Sequence, residues 1–100
     1  MPNREESAVI QIAICDDEEQ EVLQQRAIVE HSLRQCGTGG TVAVYTQSRN
    51  LLADILEEGV FFDLLLLDIE MPGISGMELT EKIRSVLPRV KIIFVTSHTE

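Results

Sequence analysis

Residues 62–73 carry the clearest structural signal in the chain, and they read Phe62-Asp63-Leu64-Leu65-Leu66-Leu67-Asp68-Ile69-Glu70-Met71-Pro72-Gly73. A short apolar run bounded by turn residues is typical of a strand covered on both faces, as in the parallel sheet of an α/β domain. The run from Phe62 to Leu67 therefore predicts such a strand. Ligands of these sheets bind beyond the carboxyl ends of the strands. Asp68 stands at that end, and we expect its carboxylate to be displayed rather than buried.

A second strand-like segment ends in the same way. The run Val9–Cys15 is followed directly by Asp16-Asp17-Glu18. The carboxyl ends of parallel strands meet at one edge of a sheet, so the two acidic clusters are predicted to share that edge. Acidic residues also favour the first turn of a helix, which would explain Asp16-Asp17-Glu18 alone. That explanation is insufficient for two acidic positions at matching strand ends, so we predict a functional site there.

Composition limits the classes of protein to consider. One hundred residues that are 44% hydrophobic fit a single domain with one core. The net charge of −9, with 17 acidic residues against 8 basic ones, argues against direct nucleic-acid contact by this segment. Residues 1–7 are polar, no signal-peptide core follows them, and no apolar run approaches the roughly 18 residues of a membrane span. We expect a cytoplasmic protein with a flexible N-terminus at residues 1–7 and no membrane contact.

The hydrophobic pattern alternates between strand and helix periods along the chain. Strands are predicted at Val9–Cys15, Thr41–Tyr45, Phe62–Leu67 and Val90–Thr96. Helices are predicted between them: one from Asp17 to Cys36, one capped by Ser48 and ended by Gly59, and one opened by the capping-box spacing of Ser75 and Glu78 and closed by Pro88. The order βαβαβαβ with right-handed crossovers predicts a parallel sheet. Cys15 and Cys36 then lie at opposite ends of the domain, as buried thiols without a disulfide.

The carboxylates at the sheet edge point to a cation. Asp16, Asp17 and Asp68 would repel one another unless a positive charge compensates them. Mg²⁺ takes hard oxygen ligands, binds through one or two carboxylates and leaves positions for phosphate oxygens. A carboxylate beside Mg²⁺ can attack a phosphoryl group to give an acyl phosphate, and Asp68 is our candidate nucleophile. Thr96 ends the fourth predicted strand, where its hydroxyl could bond a phosphoryl oxygen, and Ser97 is the alternative for that role.

Three segments resemble the receiver domain of two-component response regulators: Ile14-Cys15-Asp16-Asp17-Glu18, Leu67–Gly76 and Phe94-Val95-Thr96-Ser97-His98. The resemblance covers essentially everything from Val9 onward. The Asp-Asp-Glu cluster and the Val-Thr-Ser-His segment are most similar to receivers that precede a LytTR-type DNA-binding domain. The resemblance implies a flavodoxin-like α/β fold, a three-layer sandwich whose family strand order is 2-1-3-4-5.

The resemblance also implies a function. Asp68 would be the phosphoacceptor, receiving a phosphoryl group from a histidine kinase. Asp17, Asp68 and the backbone carbonyl of Glu70 would bind Mg²⁺, with Asp16 acting mostly through a metal-bound water, and Thr96 would be the switch hydroxyl. Such a chain is a signalling switch and not an enzyme, and its output domain is expected to be transcriptional and DNA-binding.

The chain departs from the family pattern at its C-terminal end. It stops after the fourth predicted strand, so residues 8–100 would form a receiver with strand order 2-1-3-4, lacking the fourth helix, the fifth strand and the fifth helix. The family's lysine at the end of the fifth strand has no counterpart, because Lys82 is on a helix and Lys91 begins its strand. We interpret the chain as C-terminally truncated. We expect its exposed fourth-strand edge, Ile92 to Val95, to mediate a homodimer.

Two other functions remain possible at this stage. A Mg²⁺-dependent aspartyl-phosphate phosphatase would also place a nucleophilic aspartate after a strand, but it needs a second aspartate two residues later, where this chain has Glu70. A pseudo-receiver would bind partners without phosphate, which the intact Asp16, Asp17 and Asp68 argue against. Glu70 itself is either a solvated loop residue or a residue that tunes the lifetime of the phosphate.

Overall fold

The computed structural model describes residues 9–95. Strands and helices alternate through this range: β1 (Ile10–Cys15), α1 (Glu19–Cys36), β2 (Gly40–Tyr45), α2 (Ser48–Leu56), β3 (Leu64–Asp68), α3 (Gly76–Arg84) and β4 (Lys91–Val95). Within this range, no helix combines the length and apolar character needed to cross a membrane.

The strands form one parallel sheet in the order β2-β1-β3-β4. The register aligns Cys15 with Tyr45 on one side and with Leu67 on the other, and it aligns Asp68 with Val95. The carboxyl ends of all the strands therefore meet at one edge. This arrangement confirms the predicted flavodoxin-like topology with strand order 2-1-3-4.

The side chains of the sheet alternate between two cores, as the period of a strand requires. Ala13, Cys15, Leu65 and Leu67 face α2 and α3, where they pack with the inner residues of those helices. Ile12 and Ile14 face α1 and pack against Val22. The molecule is thus a three-layer sandwich, with α1 on one face of the sheet and α2 and α3 on the other.

The helix ends follow the predicted chemistry at one place and depart from it at another. Ser75 caps α3, and its hydroxyl accepts a hydrogen bond from the Glu78 N–H over 3.1 Å. Ser48 does not cap α2 as predicted: it is the first helical residue, and Gln47 stands at the N-cap without a side-chain bond. The Gln47 side chain is engaged elsewhere, because its oxygen accepts a 2.8 Å bond from Arg49 Nε.

Several predicted boundaries shift by a few residues. Phe62 is buried but precedes β3, which runs from Leu64 through Asp68. α1 begins at Glu19 rather than Asp17, because Asp16 and Asp17 belong to the turn after β1. α3 ends at Arg84, four residues before Pro88.

One side chain predicted to be buried is exposed. Cys36 is exposed, because it is the last residue of α1 and lies one turn beyond Leu33, which packs against the core. On α3, Leu79 and Ile83 face the core, and Met77 is 76% exposed. Both cysteines are free, at opposite ends of the sheet.

Candidate metal centre

The fold brings three carboxylates together at the carboxyl edge of the sheet. Asp16 and Asp17 follow β1 directly, and Asp68 is the last residue of the neighbouring strand β3. One carboxylate oxygen from each residue lies within 4.8 Å of the other two. These residues come from sequence positions about fifty residues apart, and the parallel pairing of β1 with β3 is what makes them neighbours.

Two of the three carboxylates are buried. Asp16 is 1% exposed and Asp68 is 7% exposed, whereas Asp17 is exposed. The expectation that Asp68 is displayed is therefore wrong. The strand continues through Asp68, in register with Val95, and the following loop turns back so that the Glu70 N–H donates to Asp68 Oδ1 over 3.2 Å.

Asp16 is held by hydrogen bonds from two residues of the neighbouring turn and helix. Its Oδ1 accepts the Glu18 N–H over 3.0 Å, and its Oδ2 accepts a 3.4 Å bond from Gln25 Nε2. Burial raises the pKa of Asp16 above its usual value, the Glu18 hydrogen bond opposes that rise, and the negative charges of Asp68 and Asp17 add to it. The site therefore holds its negative charges at an energetic cost.

A hard divalent cation fits this donor set. The only ion pair within residues 9–95 joins Arg26 to Glu30 on α1, so no described basic side chain neutralises the cluster. The donors are all carboxylate oxygens, and their separation allows them to share one ion. Mg²⁺ prefers oxygen ligands of this kind and needs only one or two carboxylates.

The loop after β3 carries a further predicted ligand. The Glu70 side chain is exposed. The backbone N–H of Glu70 donates a hydrogen bond to Asp68 Oδ1. The next residue, Met71, contacts β1: the Cys15 thiol donates to Met71 Sδ over 3.5 Å. Burial, followed by the charges of Asp16, Asp68 and Asp17, raises the pKa of Cys15 to about 12. Sequence reasoning missed this contact, although both residues directly adjoin candidate ligands.

A cavity of about 650 Å³ opens beside Asp17. Its lining includes the polar residues Thr46 and Arg49 and the apolar residues Leu52, Met71 and Ile74. It lies between the loop after β2 and the loop after β3, next to the carboxylates. The sequence pattern contained no signal for it, because its walls come from separate loops.

Thr96 and Ser97 lie outside the described residues. The preceding residue, Val95, is in register with Asp68, and its carbonyl accepts the Ile69 N–H over 3.2 Å. Lys91 pairs with Leu64 at the opposite end of the sheet from the carboxylates, and Lys82 is on α3. The expectation that neither lysine approaches the site agrees with these positions.

Comparison with known proteins gives the family. The family model described as "Response regulator receiver domain" matches residues 12–100. The DNA-binding transcriptional regulator NtrC of Salmonella typhimurium is 31% identical over 75 residues, which are 75% of this chain and 15% of NtrC. The first curated relatives, including the response regulator UvrY of Escherichia coli, are likewise matched over only 17% of their length. The matched segments therefore span less than a fifth of these relatives.

Solved structures agree with the topology. The receiver domain protein from Clostridium thermocellum has a TM-score of 0.74 and 24% identity, over 88% of this chain and 65% of that one, which shows a shared fold. A chain in the structure of histidine kinase ThkA in complex with response regulator protein TrrA has 30% identity and a TM-score of 0.61, over 92% and 72%. These similarities favour neither the phosphatase nor the pseudo-receiver alternative. With the family match spanning nearly all of the sheet and the loops at its acidic edge, this chain belongs to the response regulator receiver domains of two-component systems.

Proposed function

We propose that this chain is a phosphoacceptor, in which Asp68 receives a phosphoryl group from a histidine kinase and Mg²⁺ assists the transfer. The observation that carries this proposal is the convergence of Asp16, Asp17 and Asp68 within 4.8 Å, without a described basic side chain to neutralise them. Without a cation, the repulsion among these carboxylates would destabilise the folded protein. A bound divalent cation would compensate the negative charges.

Asp68 would act as the nucleophile. Its Oδ1 is engaged by the Glu70 N–H, and among residues 9–95 no donor reaches its Oδ2. In the proposed step this free oxygen attacks phosphorus, the bond from phosphorus to the donor's imidazole nitrogen breaks, and that nitrogen keeps the electron pair. The product is an acyl phosphate on Asp68.

Four residues would hold Mg²⁺: Asp17 and Asp68 through carboxylate oxygens, Glu70 through its backbone carbonyl, and Asp16 mostly through a water. When bound, Mg²⁺ supplies neutralisation of charge on the phosphoryl oxygens. The chain's own contribution is orientation, because Glu18 and Gln25 fix the Asp16 carboxylate and Glu70 fixes one oxygen of Asp68. We assign Thr96 as the switch hydroxyl on the basis of the resemblance.

The partners follow from the same proposal. A histidine kinase is the donor, supported by similarity to a chain in the complex of the kinase ThkA with the regulator TrrA. The output is transcriptional and lies in a separate DNA-binding domain, of LytTR type by resemblance. The phosphoryl transfer takes place in the cytoplasm.

A homodimer through β4 is part of the proposal. β4 forms the edge of the described sheet, and its Ile93 and Phe94 are 50% and 42% exposed. An apolar strand with unpaired backbone groups on one side is a template for pairing with another copy.

Intact mass spectrometry after incubation with acetyl phosphate tests the phosphoacceptor. The expected result is a gain of one phosphoryl group that needs Mg²⁺ and is lost in Asp68→Asn. The matched control is Asp63→Asn, the same substitution just before β3, at the opposite end of the strand, where the carboxylate accepts the Gln11 N–H and an amide oxygen can do the same. A gain that persists in Asp68→Asn would overturn the proposal, and so would no gain in this chain and in a longer regulator that contains it.

A further inference from the structure

Two sulfur atoms meet beside the carboxylate cluster, and the proposed function uses neither. The thiol of Cys15 donates to Met71 Sδ over 3.5 Å. Cys15 is fully buried at the end of β1, directly before Asp16. Met71 is half-buried and directly follows Glu70. The contact therefore joins the end of one strand to the loop that follows the neighbouring strand.

That loop, residues 69–75, has few other attachments within the described part of the chain. At its start, the Ile69 N–H donates to the Val95 carbonyl and the Glu70 N–H donates to Asp68 Oδ1, both over 3.2 Å. At its end, Ser75 caps α3. Between these ends, the contact of Met71 with Cys15 is the one described hydrogen bond that joins the loop to another element, so Met71 is the internal anchor of the loop.

The position of this anchor matters because of peptide geometry. The Glu70 carbonyl belongs to the peptide unit that links Glu70 to Met71, and that unit is planar and rigid. The Glu70 N–H is held on one side by Asp68, and the Met71 side chain is held on the other by Cys15. A thioether is a weak acceptor but packs adaptably, and Met71 also lies against the core cluster that contains Cys15 and Leu67. Restraint on both sides limits the rotation of the peptide between them.

We infer that Met71, held by Cys15, is a positioning residue for the candidate metal centre: it orients the peptide that carries the Glu70 carbonyl relative to Asp16, Asp17 and Asp68. The inference rests on the proposed function, because it assigns a task to a residue that is not itself a ligand. Removing a residue that orients a metal ligand without binding the metal itself typically weakens metal affinity 10-fold to 100-fold.

Ile74 provides a matched control. It lies in the same loop, it is half-buried against the same core cluster, and it lines the same cavity as Met71. No hydrogen bond joins it to β1 among the described residues. Truncation of Ile74 or of Met71 to alanine removes apolar packing from the loop, but only the change at Met71 removes the anchor beside Glu70.

The first test is a calorimetric Mg²⁺ titration of the wild type, Met71→Ala, Met71→Leu and Ile74→Ala, with the unfolding midpoint of each protein in EDTA measured alongside. Met71→Ala is expected to weaken Mg²⁺ binding by about tenfold. Ile74→Ala is expected to lower the midpoint with Mg²⁺ affinity unchanged, and Met71→Leu, which keeps most of the packing, to recover part of the loss. Equal affinities in Met71→Ala and Ile74→Ala would overturn the inference.

The second test needs no metal. Amide hydrogen exchange in EDTA is expected to show faster exchange of the Glu70 N–H in Met71→Ala than in Ile74→Ala, with the Ile69 N–H unchanged because it bonds to Val95. The same protection of Glu70 in both variants would contradict the anchoring role. If the wild type bound no Mg²⁺ at all, the proposed function would fail by itself, and the exchange result would still decide whether Met71 orients this peptide.

Cys15→Ala completes the design as a double-mutant cycle with Met71→Ala. Because the two side chains act through one contact, the double variant is expected to bind Mg²⁺ no more weakly than Met71→Ala alone. Fully additive losses would contradict a shared role.

Discussion

The ring of Phe94 lies against Gly76: a Cβ atom added to Gly76 would come within 3.0 Å of Phe94 Cε1. Gly76 is the first residue of α3, and Phe94 is on the edge strand β4. The contact joins the end of the loop that carries Glu70 to the strand that is paired with Asp68. The absence of a side chain at Gly76 allows this close approach.

A methyl group at this position would crowd the Phe94 ring. Gly76→Ala is expected to be about 1 kcal/mol less favourable to folding in the wild type than in a Phe94→Leu background, where the ring is absent. Urea unfolding of the four proteins measures both changes, and an equal cost of Gly76→Ala in the two backgrounds would show that Phe94 is not the cause.

The carboxylate cluster predicts that Mg²⁺ changes the stability of the wild type relative to Asp16→Asn. In EDTA at pH 7, Asp16→Asn is expected to be more stable than the wild type, on the order of 1 kcal/mol, because it removes a buried charge and keeps an acceptor for the Glu18 N–H. With Mg²⁺ the wild type should gain more stability than the variant, since binding to the folded state stabilises it. Thermal unfolding of both proteins with and without Mg²⁺ measures this. The exposed change Glu58→Gln is the control, and a wild type that is more stable than Asp16→Asn in EDTA would contradict the account.

The same carboxylate predicts the direction of a pH effect. Burial raises the pKa of Asp16 in the folded state above its unfolded value. The stability attributable to this group is therefore fully present below the unfolded pKa and is lost as pH rises through the folded pKa. In EDTA, the stability advantage of Asp16→Asn over the wild type should shrink as pH falls through this range. An advantage that grows on acidification would reverse the assigned shift.

The two cysteines should differ sharply in reactivity. Cys36 is exposed, whereas Cys15 is buried and its thiol has a pKa of about 12, so little thiolate forms at Cys15 near neutral pH. Iodoacetamide at pH 8 is expected to label Cys36 in the folded protein and to label Cys15 only after unfolding in urea. Peptide mass spectrometry locates the label, and folded Cys36→Ser should remain unlabelled. Rapid labelling of Cys15 in the folded chain would contradict its described burial.

The proposed homodimer can be tested at the edge strand. Ile93→Lys places a charge on the half-exposed face of β4, a substitution that discourages strand pairing between molecules. Light scattering over a concentration series is expected to show self-association of the wild type and a lower mass for Ile93→Lys. The control is Ile28→Lys, at an equally apolar exposed position on α1. A wild type that stays monomeric at all concentrations would refute the homodimer.

Much of the fold was predictable because its determinants are local. The apolar run before Asp68 and the run before Asp16 identify β3 and β1. The connections between the strands have helical period and are long enough for a crossover helix, which favours a parallel sheet. The boundary errors arise where burial and pairing differ: Phe62 is buried without being part of β3, so its hydrophobicity extended the predicted strand too early.

The details of the site were less predictable because they depend on distant pairs. Asp68 is buried because β3 continues through it in register with Val95 and because the following loop turns back to bond it through the Glu70 N–H. The pattern of apolar residues along the sequence predicts neither feature. Cys15 and Met71 are 56 residues apart in the chain, and only the pairing of β1 with β3 brings them into contact. Sequence reasoning could identify the candidate ligands, but not the residue that holds the loop between them.

The central claim is that Asp68 carries the phosphoryl group, and chemical mapping of the modified residue tests it most directly. After incubation with acetyl phosphate and Mg²⁺, borohydride reduces an aspartyl phosphate to homoserine, which peptide mass spectrometry can locate. The account predicts homoserine at position 68, and none there when Mg²⁺ is omitted. Homoserine at position 16 or 17 with Asp68 unmodified would contradict it.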